Sequence, residues 1–229
     1  MSDHLEEMPL FPLNTVVFPH ADLQVHVFEE RYREMVRNCV QYDTGFGVVL
    51  IRSGQEVGGA AEPYMVGTAV RIVKVQTYED GKMDVHVRGQ RRFRIRRLDE
   101  SRSYLVGHVE PVVELEVEDS PQTEELVERV RRSVHELLEG QFAKLDVKVT
   151  SIRLPVDATD LSFVVANLLH CENIRKQHLL ETTDTTDRIA EMLPILEQQI
   201  IEAAEEDVPE SPTNFRLTTQ HFDDIISSN

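Results

Sequence analysis

The stretch that most constrains this chain runs from Pro9 to Val40, PLFPLNTVVFPHADLQVHVFEERYREMVRNCV. Pro9, Pro12 and Pro19 punctuate its first part. Proline lacks an amide donor and disfavours the helical region for the residue before it, so this part is extended. Leu23, Val25 and Val27 then alternate with Gln24, His26 and Phe28, which is the period of a strand. At Glu29 the period changes. Tyr32, Met35, Val36, Cys39 and Val40 fall at helical spacing and make one apolar stripe. Glu29 and Glu30 stand in its first turn, where negative charge suits the helix dipole. The run predicts a strand feeding a short helix that packs back onto a sheet.

The next eighty residues keep the strand period. Val48–Ile51 is a short apolar run typical of a buried strand, and a glycine-bearing loop, SGQEVGGAAEP, follows it. Tyr64 to Val75 reads as one long strand. Asp80-Gly81 marks a hairpin turn, because glycine accepts the positive φ such turns require. On the return, Met83, Val85 and Val87 alternate with Asp84, His86 and Arg88 until Gly89 breaks the strand; Phe93 and Ile95 then alternate with Arg92, Arg94 and Arg96. Tyr104 to Val109, and then Val113, Leu115 and Val117, supply further strands. The pattern predicts a bent antiparallel sheet or partly closed barrel.

From Ser120-Pro121, a helix-start signal, the period is helical. Leu126, Val130, Val134, Leu137 and Leu138 form a stripe that is expected to end near Gly140. Asp157-Ala158-Thr159-Asp160 resembles a capping box and opens a second helix with Leu161, Val164, Val165, Leu168 and Leu169. A third, shorter helix carries Ile174 and Leu179-Leu180. A fourth carries Ile189, Met192, Leu193, Leu196 and Ile200, with Pro194 expected to kink or split it. Four such helices predict a small bundle. Beyond Glu202 the period is lost, and the last residues are polar with scattered Phe215, Leu217, Phe222, Ile225 and Ile226. Composition reads as a disordered tail; the alternative is a short apolar peptide that docks on this domain or a partner. The expected organisation is a β domain over 1–118, a helical bundle over 119–204 and an acidic, polar tail over 205–229.

Composition narrows the function classes. The formal net charge of −17 repels phosphate backbones, so broad nucleic-acid binding is not expected. Two cysteines, Cys39 and Cys171, make neither a disulfide framework nor a four-thiolate zinc site, and Cys39 on the helix stripe reads as a buried small hydrophobe. The start, MSDHLEEMPL, has no basic or apolar signal region and no stretch is long enough to span a bilayer. A cytoplasmic protein with no membrane partner is expected.

The wording PLFPLNTVVFP followed by HVFEERYREMV resembles the amino-terminal, substrate-binding domain family of the ATP-dependent protease Lon. The likeness continues through Phe46-Gly47-Val48-Val49-Leu50, Val66-Gly67-Thr68-Ala69, and Gly89 with Arg91-Arg92-Phe93-Arg94-Ile95. Lys176-Gln177, Leu179-Leu180-Glu181 and Arg188-Ile189 carry it into the helical part. The resemblance implies an α+β fold, a bent antiparallel sheet or PUA-like pseudo-barrel followed by a small α-helical bundle. It also implies a module that binds protein segments. In the full protease a long helix, an ATPase and a protease follow. No G-x-x-x-x-G-K-[ST] phosphate loop occurs in this sequence, so the backbone cradle and lysine that hold ATP are missing. A stand-alone protein without those modules, ending where the long helix would begin, is therefore expected.

Candidate chemistry is sparse. His26, Glu29 and Glu30 have the chemistry of metal ligands, but they straddle a strand-to-helix junction and the glutamates already have a helix-start role. His170, Cys171 and Glu172 are adjacent and read as a helix end. Arg92, Arg94 and Arg96 are expected on one strand face, solvated and paired to carboxylates; the other reading is an anion or acidic-peptide patch. No activated nucleophile has a local signature, and the G-x-S-x-G elbow is absent. No catalytic, cofactor-binding or metal residue is assigned, and no cofactor. The expected function is non-catalytic binding of unfolded or specific protein segments, as an adaptor to a protease or another assembly. Weak self-association is compatible with the family. The alternative is a small hydrolase or ligand-binding enzyme using an interdomain cleft. On the sheet side the candidate surfaces are the loop from Gly54 to Pro63 and the hairpin tip from Glu79 to Lys82.

Overall fold

A computed structural model describes residues 5–58, 61–144, 151–205 and 226–227. The fold is α+β, and the chain divides into two compact units: Met1–Val113 with Glu172–Glu181, and Glu114–Cys171 with Thr182–Asn229.

The first unit holds seven strands: β1 (Glu6–Leu13), β2 (Asp22–Val27), β3 (Phe46–Gly54), β4 (Ala61–Pro63), β5 (Val66–Thr77), β6 (Met83–Asp99) and β7 (Val106–Pro111). Its sheet runs β1-β7-β6-β5-β3-β4, and β1 also pairs with β3, which closes five of the strands into a barrel. The pairing is antiparallel except at that seam, where Leu10–Leu13 lie parallel to Gly47–Leu50. A parallel seam needs a crossover, and α1 (Glu30–Gln41) lies in the stretch between β1 and β3. Met8, Leu10, Val49, Ala69, Phe93, Ile95 and Val109 form a buried core cluster.

β6 continues through Gly89 instead of breaking there. Its first half pairs with β2 and its second half with β7, while β5 runs along both. The irregularity falls one residue later, where Gln90 bulges between the pairs Val70–Gly89 and Ala69–Arg91. Glycine is needed for close approach: a Cβ on Gly89 would stand 2.2 Å from the Phe18 carbonyl oxygen. The backbone of Gly89 also exchanges hydrogen bonds with Ala21 and His20.

On α1, Tyr32, Met35, Val36 and Cys39 are buried as the stripe predicts, but Val40 is exposed at the stripe's edge. Val113, Leu115 and Val117 are not a strand. Pro111 ends β7, and Val113 and Leu115 are 77% and 56% exposed. Their alternation with charged residues mimics a strand, but the Leu115 amide finds a single loop partner, the Thr183 carbonyl, rather than a ladder.

α4 (Asn173–Glu181), expected in the helical bundle, groups with the sheet unit. Gln177, buried on this helix, donates to the Val66 carbonyl at 3.0 Å. Arg92 of β6 donates to the Leu180 carbonyl in the last turn of α4, where a cation satisfies an orphan acceptor and suits the dipole. Ile174, expected on the apolar side, is exposed.

The second unit contains α2 (Pro121–Lys144), α3 (Ala158–Leu168) and α5 (Thr185–Glu205), with the short pair β8 (Ser151–Ile152) and β9 (Ile226–Ser227). α2 runs past Gly140, because Phe142 two residues on is buried and holds the helix. Asp157 caps α3 by accepting from the Asp160 amide at 2.9 Å. α5 is continuous through Pro194, whose ring lies on the exposed side where water can serve the carbonyl that loses its donor. Apart from Ile226 and Ser227, the tail from residue 206, including the docking alternative for Phe215, Leu217 and Phe222, lies outside the described residues.

Candidate functional site

The first unit carries a cleft of about 280 Å³ between β2, the residues after β1 and the loop after β3. Phe11 and Tyr32 lie at its base, their rings stacked at 4.3 Å. Leu13, Asn14 and Thr15 form one side, and Glu56 and Val57 another. The remaining side is made by every residue from Leu23 to Glu29. Side chains of a strand alternate between two faces, so a cavity touching five consecutive strand residues, Leu23 to Val27, lies along the strand's edge. Among the described residues β2 pairs with β6 alone, which leaves that edge with unpaired amides and carbonyls.

Polar contacts fix the walls. The Asn14 amide and Nδ2 donate to Glu56 Oε2 at 3.2 and 2.7 Å, and the Gly58 amide donates to Glu29 Oε2 at 3.1 Å. Arg31 pairs with Glu29 at 3.0 Å and lies over the Tyr32 ring. Burial pushes the Tyr32 phenol up, Arg31 pulls it down, and Glu29 and Glu56 reinforce the rise. Two large apolar side chains remain open on the rim, Phe28 at 43% and Val57 at 52% exposure. None of the lining residues is Ser, Cys, Lys or Arg.

His26, Glu29 and Glu30 are not brought together. His26 Nδ1 lies 2.7 Å from Asp84 Oδ1, while Glu30 pairs with Arg33 and Arg37. Tyr78 donates its hydroxyl to the other Asp84 oxygen at 2.5 Å. That bond, then the one from His26, holds the Asp84 carboxyl below the usual range. Among the described residues no group of three His, Cys, Asp or Glu side chains could hold a metal ion. His170, Cys171 and Glu172 form the connection between α3 and α4. Burial pushes the Cys39 thiol up, so it stays protonated.

The arginine row departs from its expected single solvated face. Arg96 is paired with Glu110 and Arg91 with Glu6, both in the open. Arg92 is 3% exposed, because α4 covers that face. A bulge between Ile95 and Arg97 then breaks the alternation, leaving Arg96 and Arg97 both exposed. Of the two expected surfaces, the loop contributes Glu56 and Val57 to the cleft, whereas the hairpin tip does not line it. The sequence signal for the cleft was β2 itself, an edge strand without the Lys or Pro that usually blunts such edges, followed by an aromatic at Phe28.

The profile of the ATP-dependent protease La (LON) substrate-binding domain matches residues 7–198. The chain belongs to this family. The family's module is a substrate-binding one. Curated relatives include the Lon protease of Anaeromyxobacter dehalogenans and Lon protease 2 of Myxococcus xanthus. Each is 30% identical over 197 residues, which is 84% of this chain but 23% and 24% of theirs. This Lon-family chain thus spans about a quarter of the curated relatives it matches. A crystal structure of a Lon N-terminal domain protein from Xanthomonas campestris is 29% identical, covers 83% of this chain and 98% of that one, and has a TM-score of 0.60. The N-terminal domain of the Mycobacterium avium complex Lon protease shares the fold, with a TM-score of 0.63 at 18% identity over 84% of this chain and 98% of that one. The family wording has a packing reason here. Phe93 lies so close to Gly47 and Gly67 that a Cβ on either would meet its ring within 3 Å. Among the described residues no helix is long and apolar enough to cross a membrane.

Proposed function

We propose that this chain is a non-catalytic module of the Lon N-terminal type that binds unfolded or specific protein segments, and that the cleft beside β2 receives them in extended form. It would hand such segments to a protease or another assembly. The observation that carries this reading is the coincidence of an open strand edge with an apolar cleft along it, since an added strand gains main-chain hydrogen bonds and side-chain pockets together. At about 280 Å³ the cleft falls just below the roughly 300–1,000 Å³ range of small-molecule sites, which suits a chain segment better than an enclosed substrate. Its lining offers no serine, cysteine or lysine, and its threonine, Thr15, is hydrogen-bonded to no base among the described residues, His26 being turned to Asp84 instead; this weighs against the hydrolase alternative.

The test is fluorescence anisotropy with a labelled, permanently unfolded protein. Saturable binding by the full chain, abolished by Phe28→Asp, is the expected outcome. Phe28 is exposed, so this change should alter stability by no more than about 0.5 kcal/mol. Absence of binding, or binding indifferent to Phe28→Asp, would sink the proposal.

A further inference from the structure

We infer that the segment taken up by the β2 cleft is cationic as well as apolar, an extended stretch in which Lys or Arg alternates with aliphatic or aromatic residues. The inference rests on the peptide-binding reading above and adds the chemistry of the ligand. Three observations support it. The cleft is lined by two carboxylates, Glu29 and Glu56, with His26 the only potentially cationic side chain among its lining residues. Glu29 is shared with Arg31, but among the described residues Glu56 makes no ion pair; its contacts are the two hydrogen bonds from Asn14 to a single oxygen. The second oxygen can therefore accept an incoming ammonium or guanidinium.

Strand geometry sets where such a group would sit. A segment added along β2 sends alternate side chains to opposite faces at about 3.3 Å per residue. One set enters the apolar space over Phe11 and Tyr32, while the other passes the mouth of the cleft, where the half-buried Glu29 and Glu56 stand beside Phe28 and Val57 on the rim. The whole chain strengthens the preference. At a net charge of −17 its field attracts a cationic segment and repels an acidic one. The same field opposes the other obvious occupant of an open edge, a second copy of this chain.

The experiment uses the full chain and two fluorescein-labelled octapeptides with leucine or valine at alternate positions. One carries lysine at the intervening positions and the other glutamate. At low salt the lysine peptide should bind about tenfold tighter, and the gap should shrink as salt screens the exposed charges. Glu56→Gln should narrow the gap to about threefold or less. Val57→Lys, which adds a cation on the same rim without touching the Asn14 contacts, should narrow or invert it. Methylating alternate backbone nitrogens of the lysine peptide, in the set facing β2, should abolish binding. Equal affinity for the two peptides, an unchanged gap in both variants, or indifference to methylation in both alternate sets would each overturn the inference. A concentration-dependent dimer lost in Phe28→Asp would assign the edge to a second copy and overturn it too. Should the unfolded protein bind through Phe28 while the lysine peptide does not, the cationic preference falls and the peptide-binding reading stands. Should neither bind, both fall.

Discussion

Among the described residues each unit buries one arginine, and the two are accommodated by different means. In the sheet unit, Arg92 comes from a strand and donates to the carbonyl of Leu180 at the end of α4. There the cation acts as a helix cap, and the site exists only because α4, held to β5 through Gln177, brings the Leu180 carbonyl to Arg92. In the helical unit, Arg188 is fully buried on α5 and is held by several groups. It donates to Ser162 Oγ at 2.8 Å, Thr185 Oγ1 at 3.0 Å, the Thr182 carbonyl and Glu114 Oε2 at 3.2 Å, and it stacks over Phe163 at 4.3 Å. Burial pushes the Arg188 guanidinium down from its usual value, and Glu114 pulls it back. A charge with a counter-charge and a full set of acceptors can be central to a unit, whereas a charge at a helix end ties one element to another.

The largest expected effect tests the helical side. Arg188→Ala should destabilise the protein by about 3–5 kcal/mol in urea unfolding, because it takes a counter-charge from Glu114 and empties a packed, hydrogen-bonded site. A cost below about 1 kcal/mol would remove Arg188 as an organising residue. Arg92→Met, which keeps volume but removes the donor, should cost about 1.5–3 kcal/mol, and hydrogen exchange should rise in α4 rather than across the barrel. A loss of protection spread evenly over the strands would contradict the cap. A double-mutant cycle between Arg188 and Glu114 sharpens the contrast; a coupling of about 0.5–3 kcal/mol is expected, and none would mean the neutral acceptors suffice.

The smallest effect concerns pH. Asp84 has a folded pKa below the ordinary 3.8, so the stability it contributes is present above the unfolded carboxylate range and is lost as pH falls through the folded value. Asp84→Asn should therefore differ from the parent at pH 6 and converge with it below about pH 4. A constant difference between pH 6 and pH 2 would contradict the depressed carboxyl. The sheet unit's exposed polar triad of Tyr78, Asp84 and His26 would then add nothing to the comparison with Arg188.

Much of the fold could be read along the chain, because local signals and final structure agree. The proline-spaced opening, the β2 alternation, the Asp80-Gly81 turn and the α1 stripe depend on φ restriction and on side-chain period. The errors share a cause. Val113–Val117 alternates like a strand yet pairs with no strand among the described residues, and Gly140 reads as a stop until Phe142 finds a core. Arg92 and Arg96 have the same local pattern, but one is buried and the other exposed. Period says which side chains share a face and not what covers that face.

By itself, then, the sequence determined the family, the α+β class, the order of elements and the acidity that shapes which partners can approach. These follow from residue types and spacings, which act over one or two turns or across one strand. Only the tertiary structure decided that β1 closes the barrel by pairing parallel with β3, and that α4 joins the sheet. It also decided that the free edge of β2 runs beside the stacked Phe11 and Tyr32. Those outcomes depend on contacts between residues far apart in the chain, where burial and hydrogen-bond satisfaction select one arrangement among several with the same local pattern.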